Sequence, residues 1–198
     1  MLAGNDWRVI NLDKLTYAGN LDNVKDIAHS SNHRFVRGDI CDRALVTRIL
    51  QEEKPWAVVN FAAETHVDRS ILDSASFVQT NISGVHSLLE AVRSFPVDRF
   101  LQVSTDEVYG DREAGEASTE EAMLLPSSPY AASKAGADLL CLAYQRTYGV
   151  PIIVTRSSNN YGPYQFPEKF IPLLIRNALR GMELPVYGDG KQVRDWLY

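Results

Sequence analysis

Cysteine is scarce in this chain: Cys41 and Cys141 are the only two among 198 residues, and they lie outside any Cys-x-x-Cys spacing. Two isolated thiols build neither a disulfide framework nor a thiolate metal centre, and they fit a reducing, cytoplasmic compartment in which both serve as packing residues. The 4 histidines are scattered singly, so nothing in the pattern assembles a metal site. No basic run offsets the formal net charge of −5, which argues against nucleic acid and against an anionic membrane surface as partners. No apolar run has the length of a transmembrane helix, and the N-terminus lacks a signal-peptide layout. One further absence bears on organisation. The 12 glycines never form G-x-G-x-x-G or G-x-x-G-x-x-G, the turn that cradles a pyrophosphate between a first strand and a first helix.

What is present is α/β periodicity. Apolar, β-branched runs centred near Ile10, Phe35, Val59, Val103 and Val154 alternate with helical patterns over 44–53, 74–95, 131–148 and 170–180. Buried strands separated by helices predict an α/β fold with a doubly wound parallel sheet, whose chemistry gathers beyond the C-terminal ends of the strands. With 45% hydrophobic residues, the chain has enough apolar material for one sizeable core.

The run over 100–103 ends abruptly in Ser104, Thr105, Asp106 and Glu107. Adjacent carboxylates at a strand terminus repel each other, so their placement calls for a use. Downstream, Ser128-Pro129-Tyr130-Ala131-Ala132-Ser133-Lys134 opens a helix, and the four-residue spacing puts Tyr130 and Lys134 on one face. A lysine cation near a phenol favours the phenolate, which predicts a Tyr130 pKa below the ordinary value of about 10 and a group able to take a proton from an alcohol. Tyr-x-x-x-Lys alone is common decoration on amphipathic helices. Its pairing with the acidic strand end makes catalysis the better reading. Other strand ends carry binding chemistry. Asp13 closes the first strand, where a carboxylate accepts from ribose hydroxyls and repels a 2′-phosphate, although a plain turn is the alternative. Gly38-Asp39-Ile40 closes the second, with Asp42 positioned to cap the following helix. Ala62 and Ala63 close the third, and their small side chains let a ligand approach the backbone closely. His66, in the loop beyond, reads as structural, and residues 111–126 read as an acidic surface excursion without chemistry.

Residues 13–20 (Asp-Lys-Leu-Thr-Tyr-Ala-Gly-Asn), 104–110, 130–134 and 157–172 together resemble the extended short-chain dehydrogenase/reductase superfamily. Within it, the chain is most similar to the nucleoside-diphosphate-glucose 4,6-dehydratases that act on dTDP-glucose. The Thr105-Asp106-Glu107 triplet is the specific part, because epimerases and decarboxylases of the superfamily carry small residues at the two acidic positions. The resemblance implies NAD as cofactor, dTDP-glucose as substrate and a homodimer. Cofactor contacts are implied at Asp13, Lys14, Thr16, Gly19, Asp39, Ile40, Ala62, Ala63, Thr80, Ser104, Tyr130, Lys134 and Asn159, with Asn81 beside Thr80 in the supporting network. Substrate contacts are implied at Thr105, Asn159, Glu168, Lys169, Pro185, Tyr187 and Arg194, the last a bidentate donor suited to a diphosphate.

The implied chemistry assigns five catalytic residues. Tyr130, activated by Lys134 and hydrogen-bonded through Thr105, takes the C4 hydroxyl proton as NAD⁺ takes hydride. Glu107 removes the C5 proton, Asp106 protonates the departing C6 hydroxyl, and hydride returns to C6. A UDP-sugar dehydratase, epimerase or decarboxylase, or a non-catalytic fragment, stands as the alternative. The implied organisation is a cofactor domain over 1–165 and the start of a smaller substrate lobe over 166–198. The first strand and glycine-rich turn would precede Met1, with Leu2, Ala3 and Gly4 the tail of the missing helix. A chain so truncated is expected to bind NAD weakly and to show no turnover alone.

Overall fold

A computed structural model describes residues 7–112 and 116–198. Leu2, Ala3, Gly4 and residues 113–115 of the acidic stretch lie outside the described residues. The chain forms two compact units, Met1–Arg156 and Ser157–Tyr198.

In the first unit, β1 (Val9–Asp13) pairs in parallel with β2 (His33–Arg37), and β3 (Ala57–Asn60) pairs in parallel with β4 (Arg99–Thr105). Strand β5 (Ile152–Ser157) flanks β4 on its other side. The strands fall where the apolar runs place them, but among the described residues β1 and β3 do not pair with each other, so β1-β2 and β3-β4-β5 stand as two sheets. Val9, Ile10 and Leu12 are accordingly only half-buried in spite of their apolar side chains. Helix α1 (Arg43–Glu53) begins at Asp42, whose carboxylate accepts the Leu45 N–H at 3.0 Å, as the capping reading expects.

After α2 (Val67–Leu72), the helical pattern expected over 74–95 is not uniform. It comprises α3 (Ala75–Phe77), a π-helical turn over Val78–Gly84 and α4 (Val85–Ser94). The widened turn carries Asn81, which is 1% exposed and fully hydrogen-bonded inside the protein; such π segments recur where a helix serves a site. Gly84 ends it in close contact with the strand β2 terminus, since a Cβ there would lie 2.5 Å from Ile40 Cδ1. Helix α5 (Pro129–Tyr148) starts at Ser128, whose hydroxyl accepts the Ala131 N–H at 3.1 Å, with Pro129 in the first turn, and ends at Gly149 with φ of 69°. The core joins Val46 and Leu50 of α1, Leu88, Leu89 and Val92 of α4, Phe100 of β4, and Ala137 and Cys141 of α5. Burial pushes the Cys141 thiol up to about 12, which suits a packing residue.

The second unit pairs β6 (Asn159–Asn160) in parallel with β7 (Trp196–Leu197) and carries α6 (Phe170–Leu179). Trp196 stacks on Phe170 at 6.2 Å and meets the Tyr161 ring edge-on at 6.3 Å. Among the described residues no helix is long and apolar enough to cross a membrane.

Phe100 is 0% exposed, and its N–H donates to the Pro151 carbonyl at 2.9 Å, so it ties the central strand to β5 and fills the core at once. Phe100→Ala is expected to cost about 3–5 kcal/mol in urea unfolding. A loss below about 1 kcal/mol would show that this strand is not the packing centre.

Candidate active site

Two groups of side chains converge at strand ends in the first unit. At the ends of β1 and β2, Lys14 Nζ lies 2.7 Å from Asp39 Oδ2, while Asp39 Oδ1 accepts the Cys41 N–H at 2.9 Å. Partial burial raises the Asp39 carboxyl, but Lys14 and the Cys41 N–H outweigh it and hold the pKa below the ordinary carboxylate value; Asp39 in turn raises Lys14. Asp13 accepts the Leu15 N–H at 2.7 Å, which folds the following loop into a turn. That loop packs so closely that a Cβ on Gly19 would come within 2.7 Å of Leu15 Cα. The resulting cleft, about 220 Å³, is lined by Asp13, Lys14, Thr16, Gly19, Asp39 and Ile40 on one side and by Ala62, Ala63 and Thr80 on the other. Gly38, Phe61 and Glu64 also line it.

The second group sits where β4 meets α5. Thr105 ends the strand and caps a 3₁₀ turn over Asp106–Tyr109, accepting the Glu107 N–H at 3.2 Å and donating to Asp106 Oδ1 at 3.3 Å. Asp106 is exposed and Glu107 half-buried. Tyr130, 8% exposed, donates its backbone N–H to Ser70 Oγ at 3.1 Å and meets the Phe77 ring edge-on at 6.4 Å. Burial first, then the nearby Glu107 carboxylate, pushes the phenol up to about 12 against the hydrogen bond from Thr105. The sequence-based expectation of a depressed phenol is therefore not met. Lys134 Nζ is drawn instead to the Val103 carbonyl at 2.6 Å, so burial and Glu107 dominate at the phenol. Burial also lowers the pKa of Lys134, which is 5% exposed, with Asp138 and Cys141 acting the other way.

Asn81 couples the two groups. Its Nδ2 donates to the Glu64 carbonyl at 3.0 Å and to Ser133 Oγ at 2.8 Å, its Oδ1 accepts the Glu64 N–H at 2.9 Å, and Ser133 Oγ donates to the Tyr130 carbonyl at 2.7 Å. A parallel lock runs through the strands: Asn60 Nδ2 donates to Gln102 Oε1 at 2.9 Å while Asn60 Oδ1 accepts the Ala62 N–H at 3.1 Å. Asn60 and Gln102 were passed over in sequence, although a carboxamide inside an apolar strand needs a buried partner and so marks a position worth inspection. Ser104 is buried, and its hydroxyl has no hydrogen-bond partner among the described residues. The acidic stretch is less detached than an excursion, since Ala122 and Leu124 pack on Val108, Tyr109 and Ala135. Asn159, Glu168, Lys169, Pro185, Tyr187 and Arg194 all belong to the second unit; Asn159 lies in β6, Lys169 directly precedes α6, and Tyr187 and Arg194 are exposed.

Fold and site together define an α/β domain that carries a tyrosine–lysine pair and two adjacent carboxylates at one strand end. A family model described as GDP-mannose 4,6 dehydratase matches residues 2–198, and the chain belongs to that family. It is 56% identical over 200 residues to a dTDP-glucose 4,6-dehydratase of Xanthomonas campestris pv. campestris (strain B100), covering 96% of this chain and 57% of that relative. The chain thus spans little more than half the length of the curated relatives it matches. A crystal structure of a DesIV double mutant, a dTDP-glucose 4,6-dehydratase from Streptomyces venezuelae with NAD and DAU bound, superposes with a TM-score of 0.93 at 50% identity over 96% of this chain and 58% of that one. UDP-glucose 4-epimerase from Thermotoga maritima, solved with UDP-glucose, superposes at 0.89 with 30% identity over 98% of this chain and 62% of that one. These neighbours share the doubly wound, Rossmann-type fold.

Because the Glu107 carboxylate raises the Tyr130 phenol, Glu107→Gln is expected to move that phenol's ionisation to lower pH than about 12, read by NMR of ring-labelled tyrosine with Tyr130→Phe identifying the signal. The raised phenol also stabilises the fold fully below the ordinary tyrosine value of about 10 and loses that contribution as pH rises through the folded value. An unmoved signal would place Glu107 out of electrostatic reach. Asn81→Ala is expected to cost about 2–4 kcal/mol, since it strips the Glu64 backbone of two partners, and to speed hydrogen exchange at the Glu64 amide. Unchanged exchange there would remove Asn81 from its coupling role.

Proposed function

We propose that this chain carries the NAD-binding and catalytic portion of a cytoplasmic dTDP-glucose 4,6-dehydratase that works as a homodimer. The observation that carries the reading is the arrangement of Thr105, Asp106 and Glu107 at the end of β4 beside the buried Tyr130 and Lys134. Two adjacent acids are what a dehydration needs and an epimerisation does not: one removes a proton from carbon and the other delivers a proton to the departing hydroxyl. The functional division assigned on this reading is a cofactor domain over 1–165 and the beginning of a substrate lobe over 166–198. Leu139 and Leu142, three residues apart on α5, are 57% and 45% exposed, an apolar surface that a second copy would cover.

The residues around the 220 Å³ cleft fit the adenosine half of NAD. Asp13 and Asp39 present acceptors at neighbouring strand ends, Ile40 supplies an apolar wall, and the methyl side chains of Ala62 and Ala63 admit a close backbone approach. Bound there, the cofactor supplies the hydride acceptor and donor for C4 and C6 of the sugar. Tyr130 receives the proton of the C4 hydroxyl when its oxygen is ionised, with Thr105 holding that oxygen by a hydrogen bond. Lys134, fixed on the Val103 carbonyl, is the buried cation one helix turn from Tyr130. Glu107, half-buried, takes the C5 proton, which a C4 carbonyl renders acidic, and returns a proton to C5 after water has left. Asp106, exposed at the same turn, protonates the C6 hydroxyl as it leaves. Asn159, Glu168, Lys169, Pro185, Tyr187 and Arg194 are assigned to the nucleotide sugar, with the Arg194 guanidinium and Lys169 suited to its diphosphate.

The decisive experiment embeds residues 7–198 in place of the matching stretch of the Xanthomonas campestris relative and supplies dTDP-glucose in deuterated water. Loss of water by mass, with deuterium entering at C5, is expected. Glu107→Gln is expected to slow C5 exchange by about 10²–10⁴-fold while C4 oxidation stays visible in the cofactor absorbance. Exchange at the parent rate overturns the assignment of the base, and a product of unchanged mass moves the reading to a UDP-sugar-type epimerase.

A further inference from the structure

Helix α5 places a second buried charge one turn beyond Lys134. Asp138 is 0% exposed, follows Lys134 by four residues and so shares its helix face, yet no step above uses it. Its Oδ2 accepts the Arg156 Nε–H at 2.8 Å. Arg156, whose side chain is 12% exposed, spends Nη1 on the Tyr109 hydroxyl at 2.9 Å and the Glu120 carbonyl at 3.2 Å. Asp138 Oδ1 has no hydrogen-bond partner among the described residues; the Ser104 hydroxyl lies near enough to act on the carboxylate without completing a bond of ordinary geometry. A carboxylate anchored through one oxygen retains charge at the other, and in a dry interior that charge reaches beyond Arg156 to a buried cation one helix turn away.

Asp138 and Cys141, both on α5, are the titratable groups that act on Lys134. Tyr130 stands one turn before it on the same helix, Asp106, Glu107 and Tyr109 lie in the turn after β4, and Arg156 lies on β5. Asp106 and Glu107 act on the phenol, burial holds Cys141 as a thiol, and Arg156 is committed to Asp138. Burial by itself lowers the Lys134 pKa, and Asp138 is the foremost group opposing it.

We propose that Asp138, anchored by Arg156, is a positioning residue that keeps the buried Lys134 ammonium protonated and thereby sets the alkaline limit of Tyr130 activation. This inference rests on the reading of Lys134 as the cation beside Tyr130. The test follows the Lys134 titration by NMR of ε-carbon-labelled lysine in the whole chain, with Lys134→Met identifying the signal. Asp138→Asn is expected to lower the Lys134 pKa by about one unit or more. A merely loosened core would admit water and raise it toward the ordinary lysine value, so the direction of the shift separates the two explanations. Asp138→Asn leaves the Arg156 charge stranded, and the double variant Asp138→Asn with Arg156→Met removes both charges. It too is expected to lower Lys134, because Asp138 is the partner that acts on it. An unmoved or raised Lys134 in the folded variants overturns the proposal. A lowered Lys134 combined with failure of the dehydration assay leaves the inference standing and removes the reaction; successful dehydration with an unmoved Lys134 does the reverse.

Discussion

The buried amide of Asn81 is the interaction on which the arrangement of the first unit depends. Three segments with no covalent reason to stay in register meet on it: the loop leaving β3, the π-helical turn and the first turns of α5. The loop carries the Ala62-Ala63 wall of the cleft, the turn carries Thr80, and α5 carries Tyr130. A carboxamide has two donors and an acceptor in a fixed plane, so satisfying all of them fixes orientation as well as distance. The π-helical widening follows from the same need, since a regular α-turn would present residue 81 at a different angle to the loop.

Asn60 repeats the device one layer lower. Its pairing with Gln102 crosses the β3–β4 ladder between side chains, while its oxygen holds the Ala62 N–H at the start of the ligand-facing loop. Both carboxamides are almost wholly buried, and each of their nitrogen and oxygen atoms has a partner, so their desolvation is offset by bonds that specify one geometry. The cleft walls are thus built on polar locks inside an apolar core, which explains why small residues at Ala62 and Ala63 do not leave the loop free to wander.

Much of this was legible in the sequence because it depends on local pattern. The five strand centres, the Asp42 and Ser128 caps and the Tyr130-to-Lys134 helix face follow from periodicity and short-range chemistry. The nine cleft-lining positions suggested by resemblance also converge in space. The separation of β1 from β3 and the π-helical turn were not legible, because hydrophobic spacing reports which residues are buried and not which strands pair. Asp138 was missed for another reason. It stands among Ala137, Leu139 and Leu140, where a helical pattern reads as plain core, and its meaning appears only once Arg156 arrives from a strand eighteen residues away.

The phenol was misjudged because the sequence shows which charges are near in the chain and says nothing of their depth. Lys134 is one turn from Tyr130, but its ammonium is held by a strand carbonyl, while Glu107 and the surrounding burial act directly on the phenol. This sign is useful chemically. A phenolate whose conjugate acid sits near 12 is a stronger base than one at the ordinary value of about 10. Its basicity also depends on the charge of Glu107, so the two groups cannot titrate independently. Once Glu107 has taken a proton from carbon, its share of the rise, second to that of burial, disappears and Tyr130 becomes a better acid. In the proposed reaction C4 remains a ketone, so the proton that Tyr130 gains is released to its surroundings, and protonation of Glu107 in between eases that release.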